Sequence, residues 1–336
     1  MIRRTTGASW IAAILLVLAA LFAGACGDSE GPDRPHIAIL LARGGLGDRS
    51  FNDSAAAAAV RIRKEAGGSA EVVLFKDTPD GQLANARAVA GGDFDLIVGL
   101  GAENVAAITA LAKEFPEQRF AIVDAAVTAP NVTSVVFNEL DGDFLAGALS
   151  ALLAHGSAVA FIGGADVAVI RRIEAGWRQG VLFVSPEAVI GSVLLAGRDD
   201  FRGFTNPEGA RAAASGLYAD GAKVIYVAAG GSALGAIAAA EAVDGIMITT
   251  GSDQRHLASG NVVTSRTKNV DSAILGLVKD LKAGTLTAET KTLDYRSGGI
   301  GLAAIKGQGV TPEVLLRLKQ IERGILNGTI KVEPAE

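Results

Sequence analysis

A glycine-rich stretch early in the chain carries the first side chains that could bind a ligand. The sequence GGLGDRSFNDSAAAAAV, residues 44–60, places Asp48, Ser50, Phe51 and Asn52 between an apolar run and an alanine-rich segment. Glycines allow a tight turn, and the first turn of the following helix leaves backbone N–H groups without intrahelical partners. The stretch therefore predicts a strand-to-helix turn at a ligand site. Helix capping is the alternative role of Asp48 and Ser50.

Residues suited to catalysis are scattered along the chain. His36, His155 and His256 have no nearby nucleophile, and no acidic cluster suggests a hydrolytic metal site. The glycine turns at 44–47 and 230–235 do not read G-x-G-x-x-G at the start of the first helix. We therefore expect a binding protein rather than an enzyme, with no catalytic residue, metal or cofactor.

Apolar runs and helical patterns alternate from His36 onward. The apolar runs of the first series are HIAILLA, AEVVLF, FDLIVGL and QRFAIVDA, and those of the second are SAVAFIGG, AVIGSVLLA, AKVIYVAA and GIMITTG. Helical patterns begin near residues 50, 79 and 102, and again near 167, 207 and 232. This alternation predicts an α/β protein with two doubly wound lobes, each built on a parallel sheet. Ligands of such sheets lie beyond the carboxyl ends of the strands, so we expect the site in the cleft between the lobes.

The first residues have the pattern of an export signal. Arg3 and Arg4 precede an apolar run over residues 10–22, and AGAC then ends in Cys26, the single cysteine of the chain. Thirteen apolar residues are fewer than the roughly 20 that span a bilayer, whereas they suit a signal peptide. The ending resembles a bacterial lipoprotein signal, which implies removal of residues 1–25, a lipid on Cys26 and a tether over 26–35. An incidental thiol at Cys26 is the alternative.

Composition sets further limits. The chain has 336 residues, 49% of them apolar, and a formal charge of −5 without a block of Lys and Arg. The length is typical of two domains, and the charge pattern does not favour a nucleic-acid partner. We expect a monomer with a mildly acidic surface.

Seven segments occur in an order that resembles one known family. These segments, found between His36 and Lys282, are GLGDRSFNDSA, QRFAIVDA, NVTSVVFNELDGDFLAGALSALL, VAFIGGADVAVIRRIEAGWRQGV, NPEGARAAASGLYADGAKVIYVAAGGSALG, GSDQ and VVTSRTKNVDSAI. Together they resemble the basic membrane protein family of substrate-binding lipoproteins, the PnrA-like purine nucleoside receptors of ABC importers.

The resemblance implies a type I periplasmic-binding-protein fold whose chain crosses between two lobes three times. It places the N-terminal lobe at residues 36–138 plus about 253–290, and the C-terminal lobe at about 139–252 plus 291–336. It also implies capture of a nucleoside or related heteroaromatic molecule between closing lobes. The protein's partners would be an ABC permease and ATPase. The protein would lie on the extracytoplasmic face of a bacterial cell membrane. A lipid-anchored sensor that uses the same cleft is the alternative.

The family's ligand contacts can be carried over residue by residue. The matching positions are Phe51, Asn52, Asp124, Phe204, Gly230, Gly231, Asp253 and Lys268. Phe51 and Phe204 would stack on the two faces of a base, with Phe201 as a competing choice for the second ring. Asp253 and Lys268 would lie near a ribose.

Two positions depart from the family pattern. Ala42 stands where an aspartate usually recognises the base, and Gly251 stands where an acid usually holds ribose hydroxyls. Arg43, Ser252 or Asp253 could take over these contacts. If none does, we expect weak nucleoside binding or a preference for a flat ligand with fewer hydroxyl groups.

Overall fold

The computed structural model describes residues 31–78 and 80–334. The predicted signal peptide and the lipidation site Cys26 lie outside these described residues. None of the helices in the described part of the chain is long and apolar enough to cross a membrane.

Two six-stranded sheets organise the described residues. The strands are β1 His36–Leu40, β2 Ser69–Val73, β3 Leu96–Leu100, β4 Phe120–Val123, β5 Val132–Phe137, β6 Ala158–Gly163, β7 Ile190–Leu194, β8 Ala222–Ala228, β9 Ile246–Gly251, β10 Val262–Lys268, β11 Thr290–Leu293 and β12 Ile300–Leu302. The α-helices are α1 Phe51–Arg61, α2 Gly81–Ala90, α3 Val105–Glu114, α4 Leu140–Ala154, α5 Ala168–Val184, α6 Pro207–Ala219, α7 Ala233–Val243, α8 Val270–Lys282 and α9 Pro312–Leu326. Short 3₁₀ turns at Ala102–Asn104 and Gly230–Ser232 precede α3 and α7, at the ends of β3 and β8.

The strand order of both sheets is that of doubly wound folds. The first sheet has the order β11-β5-β4-β3-β1-β2, and all its pairs are parallel. The second has the order β12-β10-β9-β8-β6-β7, and only β12 runs antiparallel to its neighbour. The predicted α/β architecture with two doubly wound lobes is therefore confirmed. We call the elements around these sheets the first lobe and the second lobe.

Alternate residues of the buried strands pack on opposite faces of each sheet. In β1, Ile37 and Ile39 join a cluster with α1 and α8, whereas Ala38 and Leu40 join a cluster with α2 and α3. The second sheet packs in the same way between α4, α5 and α9 on one face and α6 and α7 on the other. Because both faces are covered, the strands read as continuous apolar runs rather than as alternating patterns.

Within the described residues the chain crosses between the sheets three times, after β5, after β10 and after β11, as the fold prediction requires. The predicted crossing near residue 252 is nevertheless too early. Thr267 of β10 pairs with Gly251 of β9, so residues through Lys268 belong to the second sheet. The error arose because only a short connection with one 3₁₀ turn, Arg255–Leu257, separates β9 from β10 in place of a crossover helix.

Helices α4 and α5 of the second lobe cross at two glycines. A Cβ atom at Gly147 would overlap the carbonyl oxygen of Trp177, and one at Gly180 would overlap that of Phe144. This close approach fixes α4 against α5, whose first turn lines the cleft between the lobes.

Candidate functional site

A cavity of about 600 Å³ lies between the two lobes. Its volume is in the range of pockets that enclose a small molecule. The predicted site residues that line it are Ala42, Asp48, Ser50, Phe51, Asn52, Asp124, Phe204, Gly230, Gly231, Gly251 and Lys268. Ser252 and Asp253 instead line a smaller pocket of about 370 Å³, which Lys268 and Gly251 also border. The structure therefore brings most of the predicted residues together around one cavity.

The turn between β1 and α1 is held by Asp48. Its carboxylate accepts hydrogen bonds from the backbone N–H groups of Ser50 at 2.9 Å, Asn52 at 2.8 Å and Asp53 at 3.1 Å. Burial raises the pKa of Asp48, although these three bonds act in the opposite direction. Asp48 therefore caps the helix, which is the alternative that its position in the sequence allowed. Ser50 does not cap the helix, because its hydroxyl donates to the carbonyl oxygen of Thr250 in the second lobe at 3.1 Å.

Asn52 is buried behind the same turn. Its Oδ1 accepts from the backbone N–H of Ala42 at 2.9 Å, and its Nδ2 donates to the carbonyl oxygen of Arg43 at 3.2 Å. The amide thus fastens the end of β1 to α1 and fixes the backbone of the neighbouring Phe51. These bonds engage its side-chain oxygen and one N–H of its side-chain nitrogen, and Asn52 also lines the cavity.

Each lobe contributes at least one aromatic ring to the cavity wall. Phe51 is half-buried beside Gly101, where a Cβ atom would lie 3.6 Å from its Cε1. Phe204 is half-buried in the 3₁₀ turn Phe201–Thr205 of the second lobe. Phe201 also lines the cavity, with its ring centroid 6.3 Å from that of Phe204. The fold therefore presents aromatic faces from both sides of the cleft.

Lys268, at the end of β10, joins the lobes through two carboxylates. Its Nζ lies 2.7 and 2.8 Å from the two carboxylate oxygens of Asp124, and 2.7 Å from Oε1 of Glu139. It also lies 6.0 Å from the ring centroid of Phe51. The cation connects the second sheet to the carboxyl end of β4, which is why the predicted residues Asp124 and Lys268 meet.

The pKa values in this group reflect burial and mutual attraction. Burial raises the pKa of Asp124, and Lys268 offsets part of that rise. Burial also acts to raise the pKa of Glu139, but Lys268 and Arg266 outweigh it and leave that pKa below its usual value. The pKa of Lys268 is raised, because its two carboxylate partners outweigh the effect of burial. Lys268 and Glu139 are therefore charged at neutral pH.

A second buried ion pair borders the same cavity and was missed in the sequence. Arg266 lines the cavity, and its Nε donates to Oδ1 of Asp143 at 2.7 Å. The hydroxyl of Tyr226 donates to the same oxygen at 2.5 Å. Burial, only partly offset by Arg266, raises the pKa of Asp143 to about 6. The available signals were the arginine in the strand VVTSRTK and two aspartates, Asp141 and Asp143, at the start of the otherwise largely apolar helix DGDFLAGALSALLA.

Arg43, the residue after Ala42, also lines the cavity. Its Nε donates to Oε1 of Glu103 at 2.9 Å, its backbone N–H donates to Oε2 of the same residue at 3.1 Å, and its guanidinium contacts Asp77. Its Cζ lies 5.2 Å from the ring centroid of Phe75. Arg43 is thus held at the rim of the cavity by residues of its own lobe.

Gly251, where the resemblance places the second missing acid, is constrained by its surroundings. Gly251 has a φ of +98°, a region that favours glycine, and a Cβ atom there would overlap the Oγ of Ser50. Two further hydrogen bonds join the lobes at this point. Ser252 Oγ donates to the carbonyl oxygen of Ser50 at 3.1 Å, and Gln254 Nε2 donates to that of Arg49 at 3.0 Å. Gly251 therefore permits close contact between the lobes.

Asp253 and the glycines of the second lobe occupy different places. Asp253 is bound by Arg255 at 3.0 Å, with 43% of its side chain exposed, outside the large cavity. Gly230 and Gly231 line the cavity after β8. A Cβ atom on Gly231 would lie 3.6 Å from Cβ of Asp48, so the glycine turns of the two lobes face each other.

Comparison with known proteins gives one consistent family. A family model described as ABC transporter substrate-binding protein PnrA-like (Bmp) matches residues 36–334. A CD4+ T-cell-stimulating antigen of Listeria innocua is 30% identical over 96% of this chain and 97% of its own length. The ABC transporter nucleoside-binding protein BmpA of Lactococcus lactis is 26% identical over 88% of each protein.

A solved structure agrees at the level of the fold. The crystal structure of an ABC transporter solute-binding protein from Aeropyrum pernix K1 has a TM-score of 0.77 at 23% identity, and covers 90% of this chain and 94% of its own. The predicted family resemblance and the predicted type I periplasmic-binding-protein fold are thus both confirmed.

Proposed function

The chain belongs to the Bmp family of PnrA-like ABC transporter substrate-binding proteins, and we propose that it captures a nucleoside or a related heteroaromatic molecule for an ABC importer. Substrate-binding proteins of this class are extracytoplasmic, bind small molecules and work with transporter components rather than catalyse reactions. The proposal adds a chemical class of ligand and two membrane partners, a permease and an ATPase. It also adds attachment to the membrane through a lipid on Cys26.

The observation that supports the ligand class most is the pair of aromatic walls. Phe51 from the first lobe and Phe204 from the second border a single cavity of about 600 Å³. Stacking of a base on one aromatic ring is worth roughly 1–3 kcal/mol, so two rings could supply a large part of the roughly 8 kcal/mol of a micromolar complex. The name of the related BmpA of Lactococcus lactis, a nucleoside-binding protein, supports the same class.

Polar groups at one end of the cavity suit the sugar of such a ligand. Asp124 and Lys268 lie together near the ring of Phe51, and both line the cavity. Buried hydroxyl groups need hydrogen-bond partners, because they lose their bonds to water. A base between the rings, with its sugar toward this ion pair, satisfies both requirements.

The proposal is tested by measuring binding and closure together. Calorimetry with inosine, guanosine, adenosine, hypoxanthine and riboflavin should reveal at least one ligand, and small-angle scattering should show a more compact protein in its presence. Phe51→Ala should weaken binding of that ligand by roughly 1–3 kcal/mol, about 5-fold to 150-fold in affinity, through loss of stacking. Phe183→Ala is the matched control, because Phe183 lies on α5 with 44% exposure and does not line the cavity. Equal affinities of the Phe51→Ala variant and the wild type would remove Phe51 from the site, and no binding of any compound would refute the ligand class.

A further inference from the structure

Arg266 brings an incompletely used guanidinium to the wall of the cavity. The residue is 1% exposed and lines the cavity, and its Nε is bound to Asp143. Among the described residues, its Nη1 is buried without a hydrogen-bond partner. A buried N–H that has lost water and gained no acceptor is unfavourable, and native proteins rarely leave one. An oxygen atom of a bound ligand would supply an acceptor for this guanidinium.

Arg266 belongs to the polar end of the cavity. It lies two residues before Lys268 on β10, so both side chains lie on the same face of the sheet. The Arg266 charge also contributes to lowering the pKa of Asp124, which offsets part of the rise caused by burial. Lys268 in turn lies 6.0 Å from the centroid of the Phe51 ring. A base stacked on Phe51 therefore has its sugar within reach of this group.

The charges around Arg266 decide which kind of oxygen fits. Lys268 is paired with Asp124 and Glu139, and Arg266 is paired with Asp143, so three carboxylates surround two cations. A phosphate or carboxylate group of a ligand would be repelled by this excess of negative charge. A neutral hydroxyl oxygen accepts from the guanidinium without that repulsion, and its own proton can bond to a carboxylate oxygen.

We propose that Arg266 is a specificity-determining residue that donates a hydrogen bond to a sugar hydroxyl oxygen of the bound nucleoside. This inference rests on the proposed function. It explains how a ribose is held in a cleft that has Gly251 at the position of the family's ribose-binding acid, and in which Ser252 and Asp253 lie outside the large cavity.

The test compares inosine with 2′-, 3′- and 5′-deoxyinosine by calorimetry, on the wild type and on the double variant Arg266→Met, Asp143→Asn. Both members of the pair are replaced because a lone Asp143 would be a buried uncompensated charge. The asparagine introduced in this variant keeps an acceptor for the hydroxyl of Tyr226. On the wild type, one deoxy analogue should bind about tenfold or more weakly than inosine, as expected for the loss of a charge-assisted bond. On the double variant, that analogue and inosine should differ by less than about twofold.

Three further measurements make the result specific. Tyr226→Phe keeps the Arg266–Asp143 pair, so the affinities of the analogues relative to inosine should remain those of the wild type. Arg266→Lys keeps a charge beside Asp143 but lacks the terminal guanidinium nitrogens, so inosine and the deoxy analogue should bind it with nearly equal affinity. This variant provides the test if the double variant does not fold. Inosine monophosphate should bind the wild type at least about tenfold more weakly than inosine.

The outcomes separate the inference from the proposal on which it rests. If inosine binds, and the affinity of every analogue relative to inosine is the same for the wild type and the Arg266 variants, Arg266 does not contact the sugar and the inference is wrong. Tight binding of the monophosphate would also overturn it. Failure of inosine to bind the wild type at all would overturn the nucleoside proposal and the inference together.

Discussion

Ser50 and Gly251 face each other across the two lobes so closely that a side chain on Gly251 would overlap the hydroxyl of Ser50. The same hydroxyl donates to the carbonyl oxygen of Thr250, one residue earlier in β9. The glycine thus forms part of the contact through which the lobes meet. This role differs from the sequence interpretation, in which Gly251 is only the place of a missing acid.

Gly251→Ala should weaken both folding and ligand binding. The positive φ makes any side chain unfavourable by about 1–2 kcal/mol, and the overlap with Ser50 adds a cost to the contact between the lobes. We therefore expect affinity for the best ligand to fall at least about tenfold, and the melting temperature to fall as well. Gly260→Ala is the control, because a Cβ there has no heavy atom within 4 Å. Equal effects of the two changes in calorimetry and thermal unfolding would contradict this role of Gly251.

Ala42→Asp should strengthen nucleoside binding. Ala42 lines the cavity with 8% exposure, at the position where the family usually has an acid, and the neighbouring Arg43 is paired with Glu103 and Asp77. A carboxylate that accepts from a base N–H should improve inosine affinity by roughly 1.5–3 kcal/mol, about 10-fold to 150-fold. Ala42→Asn keeps the shape without the charge and should improve it less. If wild-type binding is already tight and the Ala42→Asp change brings no gain, the alignment at this position is wrong.

Lys268→Met should destabilise the protein in a pH-dependent way. Nζ of Lys268 lies 2.7 Å from oxygens of both Asp124 and Glu139, and removing it takes the ion-pair partner from two buried carboxylates. The loss should be about 3–5 kcal/mol at neutral pH. The folded-state pKa of both acids then exceeds the unfolded value of about 4, so the folded state binds more protons and stability recovers as pH falls from about 7 toward 4.

Denaturant unfolding at several pH values checks this expectation for Lys268. The control is Lys279→Met, whose Nζ lies 3.6 Å from Glu65 on the surface and is 55% exposed. An exposed pair of this kind contributes at most about 1 kcal/mol. A Lys268→Met variant whose stability is as insensitive to pH as that control would show that the ion pairs matter little.

Cys26→Ser should prevent processing of the signal peptide or release the protein from the membrane. The motif AGAC ends the apolar segment, and Cys26 is the single cysteine, so no other thiol of the chain can carry the lipid. Mass spectrometry of the wild-type membrane fraction should show a mature N-terminus at Cys26 with a diacylglyceryl group. The variant should be found unprocessed or outside the membrane fraction. An unmodified mature N-terminus at another residue would refute lipid anchoring.

The fold could be predicted because buried parallel strands have a recognisable pattern in the local sequence. Runs such as HIAILLA and VIYVAA are apolar at almost every position, since both faces of each sheet are covered by helices. The crossing after β10 could not be placed, because β9 and β10 are joined without the helix that a parallel connection usually contains.

The site was predictable only where a motif marks it. Phe51 begins a helix, Asp124 follows a strand and Lys268 ends one, all in segments that resemble the family. The roles of Glu139, Asp143 and Arg266 depend on contacts that the local sequence does not show, such as Arg266–Asp143, whose partners are 123 residues apart. The close contact of Gly251 could not be predicted for the same reason, because it is made with Ser50, which lies in the other lobe.

The order of strands in the first sheet has a consequence for folding. Strand β11, which forms one edge of that sheet beside β5, is synthesised after all the parallel strands of the second sheet, β6 to β10. Helix α8, which packs on the same sheet, also follows them. A growing chain therefore cannot complete its first lobe before most of the second has been made, and pairing across such sequence distances is slow. We expect the two lobes to acquire their final stability together, late in synthesis or export, rather than one after the other.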